Sequence, residues 1–527
     1  MNYRLLSRML GIICSLFAVT MLFSLPWAHP SIGYRIDPSI PLPQDIEWEG
    51  IRGLLASCII SAAIGGLLMW LGHGEKGQKL FRKEAMATVG LAWVMATILG
   101  GLPYLLSGTK MAADVPITVA DALFESQSGF STTGATILTN LEDPELVPHC
   151  ILFWRSSTHF LGGLGIVVLL VALLGQGASG KAMMRAEITG PTKDSSFSRM
   201  QQTATVFATI YVVLNLVLAV FYWLCGMSVF DALCHAFSTM ATGGFSTYNA
   251  SLSHFNSLWI EYITILFMIL AGTNFTLLLL VVTGRWERMV NDVEWRLYIG
   301  IIAVVTAAII AFGLWSYNFA SFGSALRYSL FQVVSIMTTT GYVTHDFDLW
   351  NNFGRGVLVL LMFVGGCAGS TAGGMKVIRH VLLVKILRLE LELAYRPSVV
   401  RPLMLGDQKM DDVNLRNHIL VYFALVGSLC AGSWLVLITT EPDRQWLEKS
   451  VDVGQGNLLD HKLLDCASAI VATLHNVGPG LGVVGPTANY ANFSPWSKLL
   501  FVFLMMLGRL EMFSILVLFI PTFWRRI

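Results

Sequence analysis

The sequence predicts an all-α polytopic membrane protein. It is read as four pseudo-repeats, each a helix, a short re-entrant helix with its loop, and a second helix, preceded by an extra N-terminal helix pair. Three observations carry this reading. The chain of 527 residues is 55% hydrophobic and 13% charged, with a mean hydropathy of +0.65, far from a soluble average. Apolar runs of about 20 residues, the length that crosses a hydrocarbon core, recur along its whole length. One spacing of thirteen positions then appears four times, from Asp121 to Gly134, Asp231 to Gly244, Tyr328 to Gly341 and Asp465 to Gly478.

Taken in order, Met9–Trp27 and Ile51–Leu71 make the extra pair. Thr88–Leu106 and Ile151–Leu174 flank the first recurrence, and Ala204–Leu224 and Leu258–Val282 the second. Leu297–Trp315 and Val357–Leu383 flank the third, and His418–Ile438 and Leu499–Phe519 the fourth. The corresponding units are the pair at 1–86, repeats at 87–180, 200–290 and 294–392, a cytoplasmic linker at 393–414, and a fourth repeat at 415–527. An acidic external insertion lies at 441–462 of that last repeat. The first run has the flanks of a secretory signal, but Trp27-Ala-His-Pro30 is a poor cleavage site and nine runs follow, so it is kept as a membrane helix.

Net charge is only +1, so its distribution is what informs. Arg4 and Arg8, then Lys76, Lys79, Arg82 and Lys83, then Lys181, Arg185, Lys193 and Arg199 fall on one side of the expected membrane. Arg285, Arg288 and Arg296, the stretch Arg379 to Arg401, and Arg525-Arg526 fall on the same side. Asp37, Asp45, Glu47 and Glu49, and Glu441, Asp443, Glu448, Asp452 and Asp460, fall on the other. The positive-inside rule then expects both termini in the cytoplasm and an even number of spans, which ten satisfies. The eight cysteines show no CxxC pairing and read as small buried hydrophobes. No HExxH, Walker loop or dinucleotide-binding glycine fingerprint is present, so neither catalysis nor nucleotide hydrolysis has a foothold.

Re-entrant backbone at membrane depth is tolerated only where protein buries it or water meets it. Four such loops closing one ring satisfy that condition. A dehydrated monovalent cation needs oxygens all round it, and backbone carbonyls supply them without a fixed charge to trap the ion. Glycine allows the φ/ψ values that turn successive carbonyls toward an axis, and short helices aim their negative ends at the loops. The candidate filter is therefore Thr132, Thr133 and Gly134; Thr242, Gly243 and Gly244; Thr339, Thr340 and Gly341; and Asn476, Val477 and Gly478. Any one of these alone reads equally well as a turn glycine ending a helix. Four at one spacing read as a single central pore.

With Phe130-Ser-Thr-Thr-Gly134, Leu161-Gly-Gly-Leu-Gly-Ile166, Gly366-Cys-Ala-Gly-Ser-Thr-Ala-Gly-Gly-Met-Lys376 and Gly508-Arg-Leu-Glu511, the whole chain resembles the superfamily of bacterial and plant potassium transporters. Within it the extra first pair resembles the TrkH type. The resemblance implies a fourfold pseudo-symmetric K⁺ pore in the bacterial inner membrane, with one glycine per filter loop. It implies a homodimer with one pore per protomer, and a cytoplasmic NAD- and ATP-binding regulatory subunit of the TrkA type docking on the segment from Arg379 to Arg416. No organic cofactor and no nucleic acid are expected. In this family a serine in the first loop goes with sodium permeability, and Gly134 stands there instead. The insertion at 441–462 looks longer than is usual and is read as an external embellishment.

Two irregularities remain. Gly365 to Gly374 holds five glycines in ten residues inside an expected membrane helix, where each costs about 1 kcal/mol relative to alanine. Either small residues pack helices closely there, or the helix is broken and Gly369, Ser370, Thr371, Gly373 and Gly374 form a gate loop held by Lys376. At the matching position of the fourth repeat stands Arg509, which reads equally as a brace on loop carbonyls or as an electrostatic barrier in the conduction path. Ionisable residues in the spans are otherwise few, Glu261 and Glu511 among them, and His159 and His235 read as packing residues. That scarcity favours a pore over an enzyme or a carrier for larger solutes, in which buried ionisable pairs are expected. Proton- or sodium-coupled symport, or weaker K⁺/Na⁺ discrimination, stays open as the alternative.

Overall fold

The computed structural model describes residues 1–30, 32, 45–74, 81–165, 200–397, 404–405, 408–409, 413–447, 459–510 and 512–525. The fold is the expected all-α one, four pseudo-repeats about a central axis plus an N-terminal pair. Six of the ten apolar runs are continuous helices, long and apolar enough to cross a membrane. They are the extra pair, Tyr3–Leu22 and Trp48–Leu71, and the first helix of each repeat, Arg82–Leu106, Met200–Leu224, Val293–Trp315 and Val413–Thr440. The pair packs on small residues: a Cβ on Gly11 would lie 2.7 Å from the Gly65 carbonyl oxygen. Its aromatic rings reach the first repeat, Phe17 against Phe130 at 5.3 Å and Trp27 stacked on Phe153 at 4.8 Å.

The other four runs differ from the straight spans expected of three of them. The inner helices His149–Leu164, Leu258–Ala271, Asn352–Met362 and Pro495–Arg509 each stop part-way along their apolar runs. After Leu164, Gly165 turns to φ 79°, and 166–174 lie outside the described residues, as do the basic residues from Lys181 to Arg199. In the second repeat Leu258–Ala271 and Phe275–Val282 meet at 105°. In the fourth, Leu510 is extended between Pro495–Arg509 and the short helix Met512–Leu516. The cause is visible in the second repeat. The Ala271 carbonyl accepts from the Thr371 N–H and the Gly272 carbonyl from the Cys367 N–H, so neither continues its own helix.

The pore helices are Val119–Phe130, Val229–Met240, Phe322–Met337 and Leu459–Leu474. Thr118 and Asp121 form a reciprocal capping box at the first, Ser228 caps the second through the Asp231 N–H, and Ser321 and Ser324 form a box at the third. The third and fourth start upstream of the recurrence, so Tyr328 and Asp465 lie inside their helices rather than opening them. Asp465 instead accepts from Trp446 Nε1 at 3.0 Å and from the Val483 N–H at 3.3 Å. None of the eight cysteines forms a disulfide.

Two of the acids expected in external loops are built into the fold. Glu47 accepts from the His149 N–H at 2.9 Å and Glu441 from the Ser494 N–H at 3.1 Å. Each thereby caps the start of an inner helix from another part of the chain. Glu441 is thus integral to the fourth repeat, while 448–458 of the acidic insertion lie outside the described residues.

Candidate functional site

Each pore helix ends in the same turn. Thr132, Thr242, Thr339 and Asn476 are left-handed, with φ of 53°, 56°, 58° and 55°. The following N–H groups fold back onto the helix: Thr133 to the Ser128 carbonyl at 2.9 Å, Gly243 to Ser238 at 2.8 Å, Thr340 to Ser335 at 2.8 Å and Val477 to Ala472 at 2.9 Å. This is a Schellman closure, which normally places glycine at the left-handed position. Three β-branched threonines there each carry strain of about 1–3 kcal/mol. The sequence reading assigned backbone freedom to the glycines two positions later, and these are left-handed as well, Gly134 at 78°, Gly244 at 76°, Gly341 at 78° and Gly478 at 97°.

Those four glycines close a ring. A Cβ on Gly134 would lie under 3.0 Å from the Gly243 carbonyl oxygen, one on Gly244 equally close to Thr340, and one on Gly341 equally close to Val477. A Cβ on Gly478 would lie 2.6 Å from the Thr133 carbonyl oxygen, which returns the circuit to the first loop. Each glycine therefore abuts the peptide just before the next glycine, leaving no room for a side chain. A vestibule of about 130 Å³ opens beside this ring, lined by all four glycines together with Arg155, Tyr248 and Tyr490. Among the described residues no group of three or more His, Cys, Asp or Glu gathers as a metal site. The oxygens that meet the ring glycines are the peptide carbonyls of Thr133, Gly243, Thr340 and Val477.

Charged or carboxylate ties cross every seam between neighbouring repeats. Arg155 pairs with Glu125 at 2.6 Å, donates to the Ser246 carbonyl at 3.0 Å and lies 3.4 Å over the Phe245 ring, joining the first repeat to the second. Glu125 in turn accepts from the Ile137 N–H at 3.1 Å. Glu261 takes Arg327 in a two-pronged pair at 2.6 and 2.7 Å, joining second to third. Asp348 accepts from the Gly482 N–H at 3.0 Å, joining third to fourth, and burial pushes its carboxyl above the usual range. Lys498 donates to Asp121 at 2.6 Å and Asn476 to Thr133 Oγ1 at 2.9 Å, joining fourth to first.

Sequence reasoning singled out Asp121, Thr133, Glu261 and Asn476 without these pairings, and it missed Glu125, Arg155, Arg327, Asp348 and Lys498. The available signal was the isolated charge at Glu125, Arg155 and Lys498 in otherwise apolar surroundings. His159 and His235 act as packing residues. His159 stacks on Phe245 at 4.0 Å, and His235 bridges the Asp231 carbonyl and Ser246 Oγ.

The glycine-rich run of the third repeat is non-helical from Phe363 to Lys376, which decides against a straight, closely packed helix. It lies against the glycine ring. The Gly373 N–H donates to Thr339 Oγ1 at 2.7 Å, and Cβ atoms on Gly373 and Gly374 would lie 3.2 and 3.1 Å from the His475 carbonyl oxygen. Gly369 accepts from the Phe275 N–H at 3.1 Å, Ser370 Oγ donates to the Cys367 carbonyl at 2.6 Å, and Thr371 Oγ1 to Ala271 at 3.0 Å. Lys376 is buried and donates back to the Ala372 carbonyl. Arg509 reaches the Thr371 carbonyl at 2.5 Å and the Gly162 carbonyl at 2.7 Å, so it braces the loop against the first repeat. Glu511 lies outside the described residues.

Removing one partner of a buried ion pair strands the other. Arg155→Met is expected to cost about 3–5 kcal/mol, read as a lowered melting temperature in detergent, with Glu125→Leu added to Arg155→Met recovering part of it. A melting temperature unmoved by Arg155→Met would mean that the pair holds nothing together.

Residues 53–526 match the family model TrkH, described as a cation transport protein. The chain is 36% identical over 529 residues to the Trk system potassium uptake protein TrkH of Salmonella typhimurium and 35% identical to that of Escherichia coli, with all of each chain covered. Among solved structures, the potassium transporter TrkH from Vibrio parahaemolyticus superposes with a TM-score of 0.81 at 32% identity, over the full length of both chains.

Proposed function

The chain belongs to the TrkH family of cation transport proteins, and on that premise we propose that it takes up potassium across the bacterial inner membrane through a K⁺-selective pore. The observation that carries this reading is the closed circuit of Gly134, Gly244, Gly341 and Gly478, each against the peptide before the next. A ring so closed holds its carbonyl oxygens at a fixed spacing. Discrimination between K⁺ and Na⁺ then follows from how many carbonyl dipoles meet the ion and how far apart they are held. Thr132, Thr133, Thr242, Gly243, Thr339, Thr340, Asn476 and Val477 complete the four filter loops.

Beneath the filter, Gly369 to Gly374 with Lys376 act as a gate, and Arg509 both braces that gate and puts a positive charge on the ion's way out. The family also supports a homodimer and a cytoplasmic nucleotide-binding partner of the TrkA type that biases the gate, with both termini on the cytoplasmic side. Of the docking segment from Arg379 to Arg416, the helix Val377–Tyr395 is described, and its outer turns are exposed.

Rb⁺ uptake into liposomes holding the chain is expected to be blocked by external K⁺ and little affected by Na⁺. Gly134→Ser forces the Gly243 peptide away, so that preference should fall about tenfold or more, a change of only ~1.4 kcal/mol. An unaltered preference would remove the glycine circuit from the selectivity mechanism. The same assay reads the alternative, since coupled symport makes uptake depend on a proton or sodium gradient and a less selective transporter is blocked by Na⁺.

Arg509→Ala removes the brace and the charge together, and flux should rise several-fold at unchanged selectivity. Flux at or below the native level in folded protein would leave Arg509 a brace alone.

A further inference from the structure

Glu294 stands in the first turn of the helix Val293–Trp315, beside Asp292, whose side chain caps that helix by accepting from the Trp295 N–H at 2.8 Å. Only 9% of Glu294 is exposed. One of its oxygens, Oε1, accepts two backbone N–H groups, from Ala368 at 2.8 Å and from Ile378 at 3.1 Å. Ala368 opens the Gly369–Gly374 segment and Ile378 lies just beyond its end. The segment between them bears Thr371, which meets Arg509, and Gly373, which meets Thr339 of the filter.

The second bond has a further effect. Ile378 is in the first turn of the helix Val377–Tyr395, whose N-cap, Lys376, provides no side-chain cap. The opening N–H groups of a helix need an acceptor and favour a negative charge. Glu294 supplies both from another helix, and a carboxylate bond to N–H is among the stronger hydrogen bonds. One oxygen atom thus pins both shoulders of the loop and starts the helix after it.

We propose that Glu294 is a positioning residue that latches the loop under the filter, so that the loop swings away only when both N–H bonds to Glu294 break. This rests on reading the loop as a gate. It adds that the closed position is held from below by one carboxylate as well as from above by Thr339.

The test compares Rb⁺ flux of the full chain in liposomes for the native protein, Glu294→Ala, Glu294→Gln and a deletion of 369–373. Labelling by N-ethylmaleimide of Cys367, a buried free thiol in the loop, is mapped by mass spectrometry on each full-length variant. Glu294→Ala should raise flux about tenfold or more, since the loss of even one charge-assisted bond allows that factor, with K⁺/Na⁺ preference unchanged and Cys367 newly labelled. Glu294→Gln, which keeps an acceptor oxygen without charge, should fall between. Native flux and a protected Cys367 in Glu294→Ala, alongside raised flux in the deletion, would overturn the latch and leave the gate standing. Native flux in both would overturn the gate and the latch with it. Should the alanine variant fail to fold, Glu294→Asp takes its place. Aspartate keeps the charge but is one methylene too short for both shoulders, so raised flux supports the latch and native flux overturns it.

Discussion

The rest of the structure answers to one steric constraint: four peptides must come close enough in a circle that no Cβ fits between them. Gly134, Gly244, Gly341 and Gly478 meet it by having none. Their neighbours meet it at a cost, since Thr132, Thr242 and Thr339 are β-branched residues held at positive φ. Strain of that kind persists only where the surroundings overdetermine the backbone. Here they do so through the fold-back bonds of each loop, the pore helix behind it, and a tie across every seam, from Arg155–Ser246 round to Lys498–Asp121. The ring's size is therefore a property of the whole bundle, in which each loop borrows its geometry from the next repeat.

Much of this was legible in the sequence because it is local or periodic. The thirteen-residue spacing marked all four loops, and apolar runs marked the six continuous helices. Glycine density marked the break in the third repeat. Pairings between distant positions were not legible, because nothing in the composition near Asp121 announces Lys498, 377 residues away. The breaks in the other inner helices were hidden for a related reason. Ala271 and Gly272 sit in an unbroken apolar run, and what ends their helix is the claim that Thr371 and Cys367 make on their carbonyls. The start of the fourth pore helix was not legible from Asp465, because spacing locates a residue relative to its loop, not relative to the start of its helix.

The ring and the loop share parts. Thr339 belongs to the ring by its backbone and to the loop below by its hydroxyl. Asn476 bonds the first repeat through Thr133 while Gly373 packs on its Cβ. The loop is thus anchored at two of the four corners of the ring.

The order in which the circuit closes has a bearing on how such a chain is made. Three of its contacts join neighbouring loops, but the last joins the fourth loop to the first, with Asn476 and Thr133 separated by 343 positions. A chain emerging from its N-terminus acquires the first three loops while the ring is still open on one side. During that interval Thr133 lacks its partner Asn476, and Asp121 is without Lys498. Synthesis of the final stretch therefore does more than add a repeat: it seals a vessel whose other three walls have stood waiting, and late long-range closure of this kind is where a nascent membrane protein is most exposed to wrong partners.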